Sequence, residues 1–173
     1  MSEFKKAVDR HRHRVYTFAF YNLGNHEEAE DVTQEVLIRL WRNWDSLDRR
    51  KLSAWLNRVT RNLCIDRARQ RRAYAIRVVA NGPGSEIFDG TSAEPLPDAA
   101  VETGEIRNHI RCALAEINEP YRSIMILREI QQLKYEEIAA AVDLPLNTVK
   151  SHLHRGRRML RDRLKETMFH ERA

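Results

Sequence analysis

Cysteine is nearly missing from this 173-residue chain: only Cys64 and Cys112 occur, far apart in sequence. A secreted scaffold stapled by disulfides is thereby excluded. Long apolar runs are missing too. No segment approaches the roughly 18 unbroken apolar residues of a membrane span. The N-terminal MSEFKKAVDRHRHR has no apolar core like that of a signal peptide. The six glycines form neither a phosphate-cradling loop nor a nucleophile elbow. No stretch alternates apolar and polar residues as a half-buried strand does, and nothing repeats. His11/His13 and His152/His154 are spaced two apart, which on a helix points them to different faces. They make no metal pair, and neither a metal, a cofactor nor a catalytic residue is expected. What remains is a soluble, all-helical chain, expected in the cytoplasm with no membrane contact of its own.

Charge, by contrast, is abundant. Lys plus Arg number 30 against 25 Asp plus Glu, a net of +5, with a pI near 9.5. Such a balance permits a nucleic-acid partner without establishing one. Its distribution says more. Residues 1–75 hold 16 Lys/Arg against 10 Asp/Glu, residues 76–103 hold 1 against 5, and residues 104–173 hold 13 against 10. The acidic middle also contains three of the five prolines and three of the six glycines, with few large apolar residues. Such a stretch buries too little surface to offset its ordering entropy. The expected organisation is therefore two small helical domains, 1–75 and 104–173, joined by a flexible acidic linker over 76–103.

In the first domain Phe4, Val8, Val15, Phe18 and Ala19 recur at helical spacing, and Leu23-Gly24 stops that helix. Asn25 is placed to cap a second helix, with Glu28 three residues on as a partial capping box. Ala29, Val32, Val36, Leu37, Leu40 and Trp41 mark its apolar face, on which Trp41 is expected in the core. A third helix carries Leu52, Trp55, Leu56, Val59, Leu63 and Ile65 and ends in a basic run. Trp55 is also expected in the core. In the second domain Ile106, Ile110, Leu114 and Ile117 mark one helix, and Pro120 suits the first position of the next.

Residues 135–160 carry the most specific local pattern. A short helix, YEEIAAAV, is followed by a turn at Asp143-Leu144-Pro145 and a longer helix from about Asn147. This is the helix-turn-helix arrangement. Ile138, Ala139, Val142, Leu144, Val149 and Leu153 would hold its two helices together, with Ala139 small where they cross. The second helix would enter the major groove of DNA by its N-terminal residues. Asn147, Thr148, Lys150 and Ser151 occupy that end and have groups that match base edges. His154, Arg155, Arg157 and Arg158 follow and suit phosphates. The plainer reading is a surface helix of a bundle with a solvated basic face.

AEDVTQEVLIRLWR followed by WLNRVTRNLCIDRARQRR resembles the second conserved region of bacterial sigma factors. LAEINEPYRSIMILREIQQLKYEEIAAAVDLPLNTVKSHLHRGRRML resembles their fourth region. Two such regions and a linker match the compact extracytoplasmic-function (ECF) sigma factors of the sigma-70 family. The resemblance implies a non-enzymatic factor that binds core RNA polymerase, directs it to promoters and is controlled by an anti-sigma factor. It implies that Asp31, Gln34, Glu35 and Leu37 dock the clamp of the largest polymerase subunit, and that the flap is a further contact. It implies that Leu52, Arg58, Arg61 and Asn62, with Arg49, Arg50 and Lys51, capture the single non-template strand of the −10 element. The helix-turn-helix would bind the −35 duplex. Two positions depart from the family pattern: Lys134 stands where Ser or Thr often caps the YEEIA helix, and Asp143 where the turn usually has Gly. Two rival readings are a helix-turn-helix regulator acting alone and an adaptor or inhibitor that binds polymerase.

Limited proteolysis tests the organisation. The first cuts should fall between about Ala80 and Val101 and leave two stable helical fragments. A first cut inside either helical segment would count against two domains.

Overall fold

The computed structural model describes residues 2–80 and 101–170. Three helices form the first unit: α1 (Glu3–Leu23), α2 (His26–Asn43) and α3 (Leu52–Ala80), the last preceded by a 3-10 turn at Arg49–Lys51. The second unit contains α4 (Val101–Ala115), the short α5 (Tyr121–Met125) running into a π turn at Ile126–Ile130, α6 (Tyr135–Val142) and α7 (Leu146–His170). No strand occurs among the described residues. Helix α3 runs five residues past the expected edge of the first domain. The centre of the acidic linker, residues 81–100, lies outside the described residues.

Local chemistry accounts for the helix ends. The Ser2 hydroxyl accepts from the Lys5 N–H at 3.3 Å and opens α1. Gly24 closes it at φ 73°, a left-handed conformation that glycine adopts without a Cβ penalty, and returns its N–H to Phe20 O. Asn25 Oδ1 accepts the Glu28 N–H at 2.9 Å and starts α2. The Glu28 carboxylate is turned to Arg71 at 3.1 Å. Pro120 stands one residue before the start of α5. Lys134 has only donors to offer the first N–H groups of α6, so half of a capping box forms: Glu137 accepts the Lys134 N–H at 2.8 Å. Asp143 takes φ 57°, as expected of a residue in the glycine position of that turn.

The first core is built from Val15, Phe18 and Ala19 of α1, Val32, Val36 and Leu40 of α2, and Leu56 and Cys64 of α3. Each large side chain buried here stabilises by about 1.5–3 kcal/mol. Thr33 and Thr60 are buried as well, and each returns its hydroxyl to the carbonyl four residues back at 2.7 Å. Burial pushes the Cys64 thiol far up, so it stays protonated and packs as a small apolar group. One expectation needs correction. Trp41 is 67% exposed. It lies about 120° around α2 from the buried row, beyond the reach of the core, at 100° per residue. Ala139 is half-buried and packs against the core, with Ala141 fully buried beside it. Leu52 is buried at the start of α3, in keeping with the apolar pattern of that helix. Trp55 packs partly buried against the core.

In the second unit Val149, Leu153 and Gly156 form the inward row of α7. Gly156 lies where α7 crosses α5, and a Cβ there would come within 2.8 Å of Met125 Cγ and 3.0 Å of its sulfur. Met125 is buried and has little room to yield. Gly104 in α4 faces open space. The two glycines therefore predict opposite signs. Gly156→Ala should destabilise by about 1–3 kcal/mol through overpacking, whereas Gly104→Ala should stabilise by up to about 1 kcal/mol through helix propensity. Urea denaturation of the two variants beside wild type measures both.

The two units pack directly on each other, with α4 and the π turn against α1 and α6 against α3. At the seam, α1 ends with carbonyls that have no partner within the helix. Three arginines from other helices take them. Arg122 donates to Asn22 O at 3.0 Å, Arg71 to Leu23 O at 3.4 Å and Arg111 to Gly24 O at 2.6 Å. The last turn of α1 has no basic residue of its own, so these cations also meet the negative end of its dipole.

Candidate nucleic-acid interface

The turn Asp143–Pro145 sets α7 across α6 so that its N-terminal half is bare on one side. Asn147, Lys150, Ser151, His154, Arg155 and Arg158 are exposed and Thr148 is half-buried. Val149 and Leu153, at 0% and 2% exposure, hold the opposite face. Ser151 donates to Thr148 O at 3.0 Å and the Lys150 ammonium lies 6.0 Å from the Tyr135 ring. Arg157, one of the residues read as suiting phosphates, is turned away: it pairs with Glu129 at 2.8 Å. His152 is half-buried and stacks on Tyr121 with centroids 4.8 Å apart. The sequence-expected row is thus brought together on one helix face, without Arg157.

The second candidate surface runs from the loop before α3 along that helix. Arg49 lies over the Trp44 ring at 3.6 Å and donates to the carbonyls of Trp44 and Leu47. It braces the loop. Trp44 meets Phe4 edge-on at 5.1 Å. Leu52, which follows this loop, is buried in the core. Asn62 is exposed, while Arg61 is half-buried, with its Nε out of contact with solvent and unpartnered. Arg58 reaches across to the other unit, donating to Ala140 O at 3.0 Å and standing 3.9 Å from Asp143.

A third surface lies on the outer side of α2. Asp31, Gln34, Glu35 and Ile38 line a cleft of about 390 Å³ with Asp66 and Arg67 of α3. Leu37 is not among them; it packs against the core. The acidic residues already have partners, since Arg67 stands 3.8 Å from Asp31 and Arg39 donates to Glu35 at 2.7 Å. Arg67 thus bridges α3 to α2. These pairs are exposed and each contributes at most about 1 kcal/mol.

Arg111 and Arg122 had no place in the sequence reading. Both are buried, at 3% and 8% exposure. Arg122 also donates to Ile117 O at 2.8 Å and Ala115 O at 2.7 Å. Burial lowers its pKa from the ordinary guanidinium range, and the nearby Glu119 carboxylate works against that. Glu119 in turn accepts from Asn22 at 3.0 Å. The available signal was the position of Arg111, three residues before Leu114 on an otherwise apolar stripe. No group of three or more His, Cys, Asp or Glu is placed to hold a metal among the described residues.

Comparison with known proteins bears on the whole chain. Residues 7–79 match the family model of sigma-70 region 2, and residues 107–160 that of sigma-70 region 4. The ECF RNA polymerase sigma factor SigW of Bacillus subtilis is 36% identical over 94% of this chain and 89% of its own. The ECF RNA polymerase sigma factor SigE of Mycolicibacterium smegmatis is 34% identical over 95% of this chain, which spans 62% of that protein. Among solved structures, the fold is similar to the sigma factor RpoE in complex with the anti-sigma factor NepR from Bartonella quintana. That match has a TM-score of 0.75 and 24% identity, and covers 95% of this chain and 98% of the other. CnrH, solved with the cytosolic domain of CnrY, matches with a TM-score of 0.66 and 22% identity over 94% and 88%.

Burial separates the exposed Lys150 and Asn62 from the seam arginines. Lys150→Ala and Asn62→Ala should leave unfolding free energy within about 0.5 kcal/mol of wild type. Arg122→Ala should cost about 3 kcal/mol or more, because three carbonyls lose a charged donor. Guanidinium titrations followed by circular dichroism read the difference.

Proposed function

The chain belongs to the ECF RNA polymerase sigma factors, and from that premise we propose how its residues divide the work of promoter recognition. As a family member it is a transcription initiation factor, and the chemistry of RNA synthesis resides in the polymerase. Helix α7 reads the −35 duplex, with Asn147, Thr148, Lys150 and Ser151 at base edges and His154, Arg155 and Arg158 on phosphates. The observation that carries this is the exposed polar row on α7 set opposite the buried Val149 and Leu153. Arg58, Arg61 and Asn62, with Leu52 at the start of the same helix, take the single non-template strand of the −10 element through charge and base contacts. Asp31, Gln34 and Glu35 form the docking face for the clamp of the largest polymerase subunit, and Leu37 supports that face from within. The flap is the second contact. An anti-sigma factor controls the protein, in keeping with the partners of the two similar solved structures. The protein acts in the cytoplasm.

Transcription with purified core polymerase and promoter DNA tests the reading. Lys150→Ala should weaken −35 binding by about 1–3 kcal/mol on the correct sequence and less on others. Asn62→Ala should leave −35 binding intact and impair opening, as permanganate reactivity of thymines reports. DNA binding without any core-dependent transcription would favour a regulator acting alone.

A further inference from the structure

Beside the end of α1 lies a cavity of about 240 Å³ that none of the surfaces described above uses. Helix α3 supplies one wall. Ile65, Ala68, Arg69 and Arg72 line it at i, i+3, i+4 and i+7, the spacing of one helix face. The other wall comes from Asn118 and Glu119, in the connection between α4 and α5, and from Arg122 of α5. Asn22 of α1 completes the lining.

Charge in this cavity is out of balance, because three guanidinium groups meet a single carboxylate. That carboxylate is committed. Glu119 Oε1 accepts from the Asn22 amide at 3.0 Å and Oε2 accepts the Ser123 N–H at 3.4 Å. Arg122 gives three N–H groups to the carbonyls of Ile117, Asn22 and Ala115, and a guanidinium has five. Arg69 and Arg72 are exposed, and neither has a hydrogen bond or an ion pair among the described residues. The cations also feel one another. Burial lowers the Arg122 pKa most, Glu119 opposes this, and Arg72 and then Arg71 lower it further.

Size and chemistry narrow the occupant. A volume of about 240 Å³ lies below the roughly 300–1,000 Å³ of pockets for drug-sized molecules. It equals about eight waters at roughly 30 Å³ each. Guanidinium forks match phosphate oxygens in pairs, and a terminal phosphate group carries close to two negative charges at neutral pH. A nucleic-acid backbone offers the same group with only one charge on each. An excess of two positive charges in a small space favours the compact, multiply charged form.

We propose that this cavity is a binding site for a compact multivalent phosphate anion, of which inorganic diphosphate is the simplest probe, held between Arg69 and Arg72 of α3 and Arg122 of α5. The anion takes the uncommitted N–H groups of the three guanidinium groups, and the exposed Asn118 amide is a neutral donor in the same lining. The walls belong to both units, so the site is complete only where they are packed together. Binding then stabilises that arrangement by mass action.

Calorimetric titration of the full chain with sodium diphosphate tests this, at ionic strength held constant with sodium chloride and without divalent cations. Wild type should bind one diphosphate per chain. Arg69→Gln/Arg72→Gln should weaken binding about tenfold or more, the worth of one lost charged hydrogen bond. Both side chains are exposed, so the helical signal in circular dichroism should not change. Arg77→Gln, exposed on the same helix outside the cavity, should bind as wild type does. Glu119→Gln removes the one negative charge of the lining and should tighten binding severalfold. A wild type that binds no diphosphate overturns the inference. So does an equal loss in Arg77→Gln and the double variant, which would make the effect a general attraction to a basic helix. A short DNA single strand, titrated separately, distinguishes the sources of phosphate. Strand binding that depends on Arg69 and Arg72 in a chain that ignores diphosphate overturns the small-anion site.

Discussion

A helix must do something with its last carbonyls, and α1 gives them to arginines that belong to other helices. Each bond runs from a charged donor to an oxygen at the negative end of a helix dipole, in a place largely closed to water. One comes from α3, one from α4 and one from α5. The end of α1 is therefore where the first unit closes on itself and where the second unit is fastened to it. Gly24 is part of this arrangement. A Cβ at its position would stand 3.1 Å from Arg111 Nη1 and would be strained at φ 73°. The glycine that ends the helix also makes room for the arginine that caps it.

Much of the fold was legible because helical periodicity is a local property. Gly24, Asn25, the turn at Asp143–Pro145 and the inward row of α7 all follow from neighbours within a few residues. The exposed row from Asn147 to Arg158 was legible for the same reason, since once Val149 and Leu153 face inward the rest must face out. Trp41 was misread because size and hydrophobicity suggested burial, while its angular position on α2 places it in solvent. Arg157 was counted with the phosphate-facing residues because its partner, Glu129, is 28 positions away. The seam arginines were out of reach for the same reason: Arg111 and Arg122 find their oxygens 87 and 100 positions away.

The candidate surfaces differ in how fully their residues are committed. On α7 the polar row from Asn147 to Arg158 is exposed. On α2 the acidic residues Asp31 and Glu35 hold Arg67 and Arg39 in pairs that any incoming cation must exchange. On α3 Arg58 is bonded to the neighbouring unit. Recognition at these places is an exchange of partners, and the net gain is the difference between two sets of contacts. This favours specificity over raw affinity, because a poorly matched partner cannot repay the bonds it displaces.

The exposure of α7 has a further consequence, in ions. Arg155 and Arg158 stand free in solvent, whereas Arg157 is neutralised by Glu129. If each of the two meets a phosphate, about two condensed cations leave the duplex on binding. The association constant of this helix then falls with a log–log salt slope near −2, at roughly −0.9 per contact. A third cation held in check by a glutamate would thus show in the ionic strength at which the helix lets go of DNA.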